Sequence, residues 1–389
     1  MKIRPIQLAK QIYLLGIAGL LALIGCQSGS QAPKYNSSFQ PGKIWVDTDS
    51  VHINAHGGGI AFHDDRYYWF GEFKTTGRSG NSAQVGVSCY SSIDLYNWKN
   101  EGIALSISEE IGSEIEKGCI IERPKVIYNE KTGKFVMWFH LELKGQGYEA
   151  ARTGLAVSDN ATGPYRFVKS LRPNRMQWPA DYPDSLKQSV YPDSLKWWTP
   201  SWYAAIEKGL FVQRDFESGQ MSRDMGLFVD DDAKAYHIHS SEDNLTLHIS
   251  ELTDDYQDFT GKYIRLFPAG HNEAPALFKK DGVYYLLASG CTGWDPNAAR
   301  MFRSSSIWGP WEALGNPCIG DESNLTFRSQ STFVLPIRGG EDTFIYMGDR
   351  WTPKNPIDGR YIWLPIRFEN DKPVIRWMDE WDLKQLKEQ

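Results

Sequence analysis

The stretch EAPALFKKDGVYYLLAS, Glu273–Ser289, opens on an acidic residue and runs through a short apolar segment to a turn at Lys280-Asp281-Gly282. It then returns through a second apolar segment to a serine. Two strand-like runs joined by a turn of that chemistry read as a β-hairpin. The same template recurs as HGGGIAFHDDRYYWFGE (His56–Glu72), ERPKVIYNEKTGKFVMWFH (Glu122–His140), DMGLFVDDDAKAYHIHSSE (Asp224–Glu242) and QSTFVLPIRGGEDTFIYMGD (Gln330–Asp349). Between the copies lie further strand-like runs, among them Gly86–Tyr90, Thr153–Ser158, Thr246–Leu252 and Ala299–Ser304, while amphipathic helical periodicity is scarce. Four strands per copy is the composition of a propeller blade. Five copies predict an all-β chain folded as a five-bladed β-propeller over residues 43–389. A β-sandwich whose hairpins merely share turn chemistry is the competing architecture, and the matched offsets disfavour it. The interval around Arg172–Gln220 is rich in Trp and Pro and holds a small duplication, Tyr182–Lys187 and Tyr191–Lys196. It is expected to be an ordered surface loop near the site.

The N-terminus carries a different message. Lys2, Arg4 and Lys10 precede an apolar stretch, Ile12–Ile24, too short to span a bilayer comfortably, and Leu23-Ile24-Gly25-Cys26 follows. That is the pattern of a bacterial lipoprotein signal over residues 1–25, with Cys26 as the lipidated residue and residues 26–42 as a flexible tether. The expected location is the cell envelope, with the membrane touched only through the anchor. The lack of an acidic run after Cys26 favours the periplasmic face over the cell surface. The net charge of −6, with no Lys/Arg run, gives no footprint for nucleic acid. Cys89, Cys119, Cys291 and Cys318 are scattered and make neither a disulfide framework nor a zinc pattern. The chain ends a few residues beyond Trp381, so no binding module is expected after the last blade. Oligomeric state is not legible.

Alignment of the copies puts His56, Glu122, Asp224, Glu273 and Gln330 at one equivalent position, the start of an innermost strand. Those starts would form a ring at one mouth of the central channel, with Glu72, His140, Glu242, Thr292 and Asp349 as a second ring. Rim carboxylates also serve solubility alone. However, Glu122 and Glu273 each stand two residues before a proline in otherwise apolar stretches, where a lone charge is costly to hold. Two carboxyl groups converging on a pocket suit glycoside hydrolysis, in which one must stay protonated to serve the leaving oxygen.

The segments ERPKV at Glu122, EAPAL at Glu273, SRDM at Ser222 and SQST at Ser329 resemble glycoside hydrolase family 43, within it the branch containing exo-β-1,3-galactanases. WVDTDSVHINAHGGG (Trp45–Gly59), YYWFGEFK (Tyr67–Lys74), SGCTGWDPN (Ser289–Asn297) and YMGDRW (Tyr346–Trp351) fit the same branch. The resemblance implies a five-bladed propeller and an inverting exo-hydrolase that releases terminal galactose from β-1,3-galactan or arabinogalactan-type glycans. It assigns the acid to Glu273 and the pKa-modulating carboxylate to Glu122. The usual first-blade base is missing, since that position reads Asn54-Ala55-His56-Gly57. In the galactanase-like branch a glutamine, here Gln330, is held to place the water in its imidic acid form; His56 and Asp224 are alternatives. Glu72, Tyr148, Asp224, Asn244 and Thr292 match galactose contacts, Trp294 is a candidate stacking platform, and Glu242 departs from the branch. Two other readings stay open: a galactofuranosidase or arabinofuranosidase on the same scaffold, and a catalytically silent sugar-binding propeller. No cofactor is required by the chemistry. Family 43 propellers often carry an axial calcium, although no dedicated loop for one is present.

Overall fold

The computed structural model describes residues 35–192, 195–337 and 343–387. The signal segment, Cys26 and the first part of the tether lie outside the described residues. Among the described residues the strands form five consecutive antiparallel sheets, the five expected blades. Blade I comprises β1 (His56–His63), β2 (Arg66–Phe73), β3 (Gly86–Ser92) and β4 (Lys99–Ser106). Blade II comprises β5 (Ile120–Asn129), β6 (Lys134–Glu142), β7 (Arg152–Ser158) and β8 (Arg166–Leu171). Blade III runs through β9 (Met225–Val229), β10 (Ala235–Ser241), β11 (Thr246–Leu252) and β12 (Phe259–Leu266). Blade IV runs through β13 (Glu273–Lys280), β14 (Val283–Ser289), β15 (Arg300–Ser304) and β16 (Glu312–Gly315). In blade V, β17 (Cys318–Ile319) pairs parallel with the outermost strand, and the rest of the sheet is β18 (Gln330–Pro336), β19 (Phe344–Arg350), β20 (Arg360–Glu369) and β21 (Lys372–Arg376).

The hairpin copies fall on the innermost strand pairs with their ends in register: His56 opposite Glu72, Glu122 opposite His140, Glu273 opposite Ser289 and Gln330 opposite Asp349. Blade III departs. Met225 pairs with His239, and Ser240 donates its backbone N–H to the Asp224 carbonyl, so Ser240 and not Glu242 faces the strand start. Ser289, not Thr292, takes that place in blade IV.

Among the described residues no strand is shared between the first and last blades, so the ring closes by other means. An aromatic cluster does this, joining Trp69 of blade I, Trp363 of blade V, and Phe39 and Trp381 from the two chain ends. Phe39 and Trp381 exchange backbone hydrogen bonds of 2.7 and 3.1 Å, and their rings stack at 4.3 Å. Burying such aromatic surface is the largest favourable contribution this closure offers.

The segment 172–220 is not a plain loop. It contains α1 (Pro200–Glu207) and α2 (Leu210–Arg214) around a small core of Trp202, Ala205, Ile206 and Phe211. Thr199 caps α1, with Pro200 at its first position. Cys89, Cys119, Cys291 and Cys318 are all free thiols, and none is paired.

Candidate active site

Four of the five innermost strands begin with an irregularity, and β9 of blade III pairs without one. The register shifts between His56 and Gly59, between Glu122 and Lys125, between Glu273 and Ala276, and between Ser331 and Phe333. The residue following the site position adopts a positive φ in three blades: Gly57 (59°), Arg123 (55°) and Ala274 (53°). A bulge re-aims the side chain beside it, and a proline is tolerated there because the ladder is already interrupted. This gives the Glu-x-Pro pattern its physical reason: Pro124 and Pro275 sit in the bulges that turn Glu122 and Glu273 toward the axis. In blade I the position needs glycine twice over, since a Cβ on Gly57 would lie 2.2 Å from Glu72 Oε1.

The side chains so aimed converge on a pocket of about 270 Å³. Eight of the expected site residues line it: Glu72, Glu122, Tyr148, Asp224, Asn244, Glu273, Trp294 and Gln330. Three do not. Glu242 lies in a left-handed turn (φ 49°) after β10 and is fully buried, accepting hydrogen bonds from Arg265 Nε (2.6 Å) and Nη2 (2.7 Å) and pairing with His248 (3.0 Å). Arg265 also donates to the Ile206 carbonyl of α1, so Glu242 ties the insertion to blade III and does not line the pocket. His56 is buried beneath Trp351, with ring centroids 5.7 Å apart. Burial first, with Lys74 nearby, lowers its pKa to about 3, so it is neutral. Thr292 stays in the rim loop, where it donates to the Asp295 carbonyl and accepts from Asn297.

Glu122 and Glu273 carry opposite perturbations. Burial, reinforced by the Asp224 carboxylate, raises Glu273 to about 7 even though Arg123 pulls the other way. Asn244 Nδ2 donates to its Oε1 at 2.8 Å. Burial also works against charge on Glu122, but His140 Nδ1 at 3.0 Å and the Tyr148 hydroxyl at 2.8 Å hold it down to about 2. His140 in turn is clamped between Glu122 and Glu142, whose Oε1 lies 2.9 Å from Nε2; these bonds outweigh burial and raise it to about 9. One carboxyl is thus poised to hold a proton near neutrality and the other is fixed as an anion.

Arg123 organises what lies between them, a role its place inside ERPKV does not announce. Its Nη1 donates to the Ser331 carbonyl (2.9 Å) and its Nη2 to Asp224 (2.8 Å) and Gln330 Oε1 (2.5 Å). Its backbone N–H donates to Glu72 (2.9 Å), which is paired with Lys74 at 2.6 Å. Trp351 Nε1 also donates to Gln330 Oε1, at 3.0 Å. Because Arg and Trp are donors only, the amide orientation is fixed, and Nε2 is the atom that donates to Ser289 Oγ at 2.9 Å. Arg223, His140, Trp351 and Gly293 complete the lining.

The residues on the axis do not fit a calcium ion. Fully buried Lys125 donates from Nζ to the Gly57 carbonyl at 2.8 Å, and burial, with Arg123 nearby, lowers its pKa to about 7. The Arg123 guanidinium and the Lys125 nitrogen therefore stand where a cation would need oxygen ligands. Glu122, His140 and Asp224 do bring ligand atoms within 4.8 Å of one another. Both His140 nitrogens face carboxylates, however, which leaves no lone pair for a metal.

Comparison with known proteins agrees with this geometry. The family model described as Glycosyl hydrolases family 43 matches residues 199–371. A solved family 43 β-1,3-galactosidase, bound to galactodeoxynojirimycin, is 58% identical over 89% of this chain and 100% of its own, with a TM-score of 0.86. An exo-β-1,3-galactanase from Phanerochaete chrysosporium, solved with β-1,3-galactotriose, is 33% identical over 90% of this chain and 68% of its own, with a TM-score of 0.72. A curated β-D-galactofuranosidase from Aspergillus niger is 23% identical over 160 residues, which span 40% of this chain and 46% of that relative. With five blades closed around a paired acid and anion, and with such identity along the full length of a solved member, the chain belongs to glycosyl hydrolases family 43 and is a glycoside hydrolase.

Proposed function

We propose that the protein is an inverting exo-β-1,3-galactosidase acting on β-1,3-galactan or arabinogalactan-type glycans. The observation that carries this reading is the joint occupancy of one small pocket by a carboxyl raised to about 7, Glu273, and a carboxylate held at about 2, Glu122. A volume of about 270 Å³ has room for one terminal sugar ring, not for a chain running through. Glu273 gives its proton to the glycosidic oxygen as the bond to the anomeric carbon breaks. Glu122 stays anionic, and with Glu72 and Asp224 it offers acceptors for paired sugar hydroxyls. Gln330, aimed from the fifth blade, places the attacking water. A plain amide is a poor base. With its Oε1 already accepting from Arg123 and Trp351, Gln330 acts by orienting the water, whose proton passes to solvent as its oxygen bonds to the anomeric carbon.

A furanosidase is the second reading, supported by the galactofuranosidase match. Product release from β-1,3-galactan, run beside aryl galactofuranoside and aryl arabinofuranoside, separates the two. Galactose from the galactan alone supports the proposal, and release from a furanoside alone overturns it. The chemistry runs on these side chains without a metal, so full activity should survive exhaustive treatment with EDTA; a loss restored by calcium would contradict the axial argument. The lipoprotein pattern at Leu23–Cys26 supports export and anchoring through Cys26, with the catalytic domain on the periplasmic face. Wild type should partition into detergent and Cys26→Ala into the aqueous phase; equal partition would remove the anchor.

A further inference from the structure

Two adjacent tryptophans of the insertion stand unusually exposed. Trp197 is 60% and Trp198 63% exposed, whereas Trp202 beside them is fully buried. Each has one face covered by a nearly parallel ring. Trp197 lies over Trp202 at 5.8 Å and 16°, and Trp198 over His271 at 5.3 Å and 20°. The exposed surface of each is therefore largely its opposite, flat face. Trp198 also holds a positive φ of 65°, a conformation that a bulky residue adopts only when its surroundings impose it.

The placement of this pair ties it to the pocket. The insertion joins the outer strand of blade II to the inner strand of blade III, so it emerges on the face where the innermost strands begin and the pocket opens. The helical core that supports Trp197 includes Leu245, whose neighbour Asn244 donates to Glu273. His271, under Trp198, precedes Glu273 by two residues. Its carbonyl accepts from Arg300, which also donates to Asn272 Oδ1. Tyr203 of α1 contacts the His271 ring at 3.2 Å. The tryptophans are thus fixed to the same loop that delivers the acid.

We propose that Trp197 and Trp198 form an aglycone platform, on which pyranose rings of the β-1,3-linked chain beyond the first leaving sugar stack their apolar C–H faces. Such rings must leave by the face on which the insertion emerges, because buried Arg123 and Lys125 fill the way below. The proposal rests on the reading of the enzyme as an exo-galactosidase of polymeric substrate. It adds a preference for chain length that the pocket alone does not create.

The test compares wild type with Trp197→Ala, Trp198→Ala and the double variant on a nitrophenyl β-galactoside, β-1,3-galactobiose and longer β-1,3-galacto-oligosaccharides. Thermal unfolding serves as a control for folding. For the longer oligosaccharides, kcat/KM should fall about tenfold in the double variant, chiefly through KM, the scale of losing one or two packed aromatic contacts. The nitrophenyl substrate and galactobiose should be cleaved within about twofold of wild type. Unchanged cleavage of the long substrates, or an equal loss on all substrates, would overturn the platform. Wild type inactive on every galactoside would instead sink the functional reading itself, so the two failures are distinguishable.

Discussion

Replacing Glu273 by glutamine lowers kcat on β-1,3-galactobiose by about 10²- to 10⁴-fold, the range contributed by a positioned general acid. An aryl galactoside with a strongly acidic phenol loses far less, because its leaving group departs without a proton. The amide keeps the shape of the carboxyl and can still meet Asn244, so the fold is expected to survive and the loss to fall on proton transfer. The same group sets a pH limit. Glu273 must be protonated to act and is raised to about 7 by burial and by Asp224, so kcat/KM should fall as pH rises through about 7. In Glu273→Gln that alkaline limb should vanish from the residual activity. Equal loss on both kinds of leaving group, or an alkaline limb that persists, would remove Glu273 from the acid role.

Arg123→Met should be the most damaging change to the scaffold. The guanidinium spans three blades, meeting Asp224 of blade III and both Gln330 and Ser331 of blade V from its own place on blade II. Methionine fills much of the volume but leaves the Ser331 carbonyl and the half-buried Asp224 carboxylate without their cation. Breaking a buried pair from one side costs about 3–5 kcal/mol. Urea unfolding should show a loss of that order, together with lost activity as Gln330 loses its strongest donor. A stability within about 1 kcal/mol of wild type would show that Arg123 does not organise the centre as described.

Strand order and strand starts were legible because a blade is a local object. Polar residue, apolar run, turn and apolar run are contiguous in sequence, and four of the five hairpin copies end on residues that pair across the sheet. The exception is instructive. The chain after His239 reads Ser-Ser-Glu-Asp-Asn, and an acidic residue ending the copy pointed to Glu242. Residues 242–244 instead have φ of 49°, 58° and 66°, a left-handed turn that sends Glu242 inward to Arg265.

What joins one blade to another was far less legible. Arg123 bonds to Gln330, 207 positions away, and Trp351 lies over His56 of the first blade, and periodicity within a blade carries no trace of such contacts. His56 shares the aligned position and the bulge of Glu122 and Glu273, yet it packs beneath Trp351 of the fifth blade. The helices of the insertion are a different omission. Thr199-Pro200 is a helix-start signal standing in the sequence, yet the two helices are only eight and five residues long, too short for a periodic apolar face to be distinct.

Direct, inverting removal of one terminal galactose, with Glu273 as acid and a water placed by Gln330, leaves a stereochemical signature. The most direct measurement is proton NMR of the anomeric signals during the first minutes of β-1,3-galactotriose hydrolysis, before mutarotation. α-Galactose should be the first monosaccharide to appear, accompanied by galactobiose. First appearance of β-galactose, which requires a covalent intermediate on a carboxylate, would contradict it.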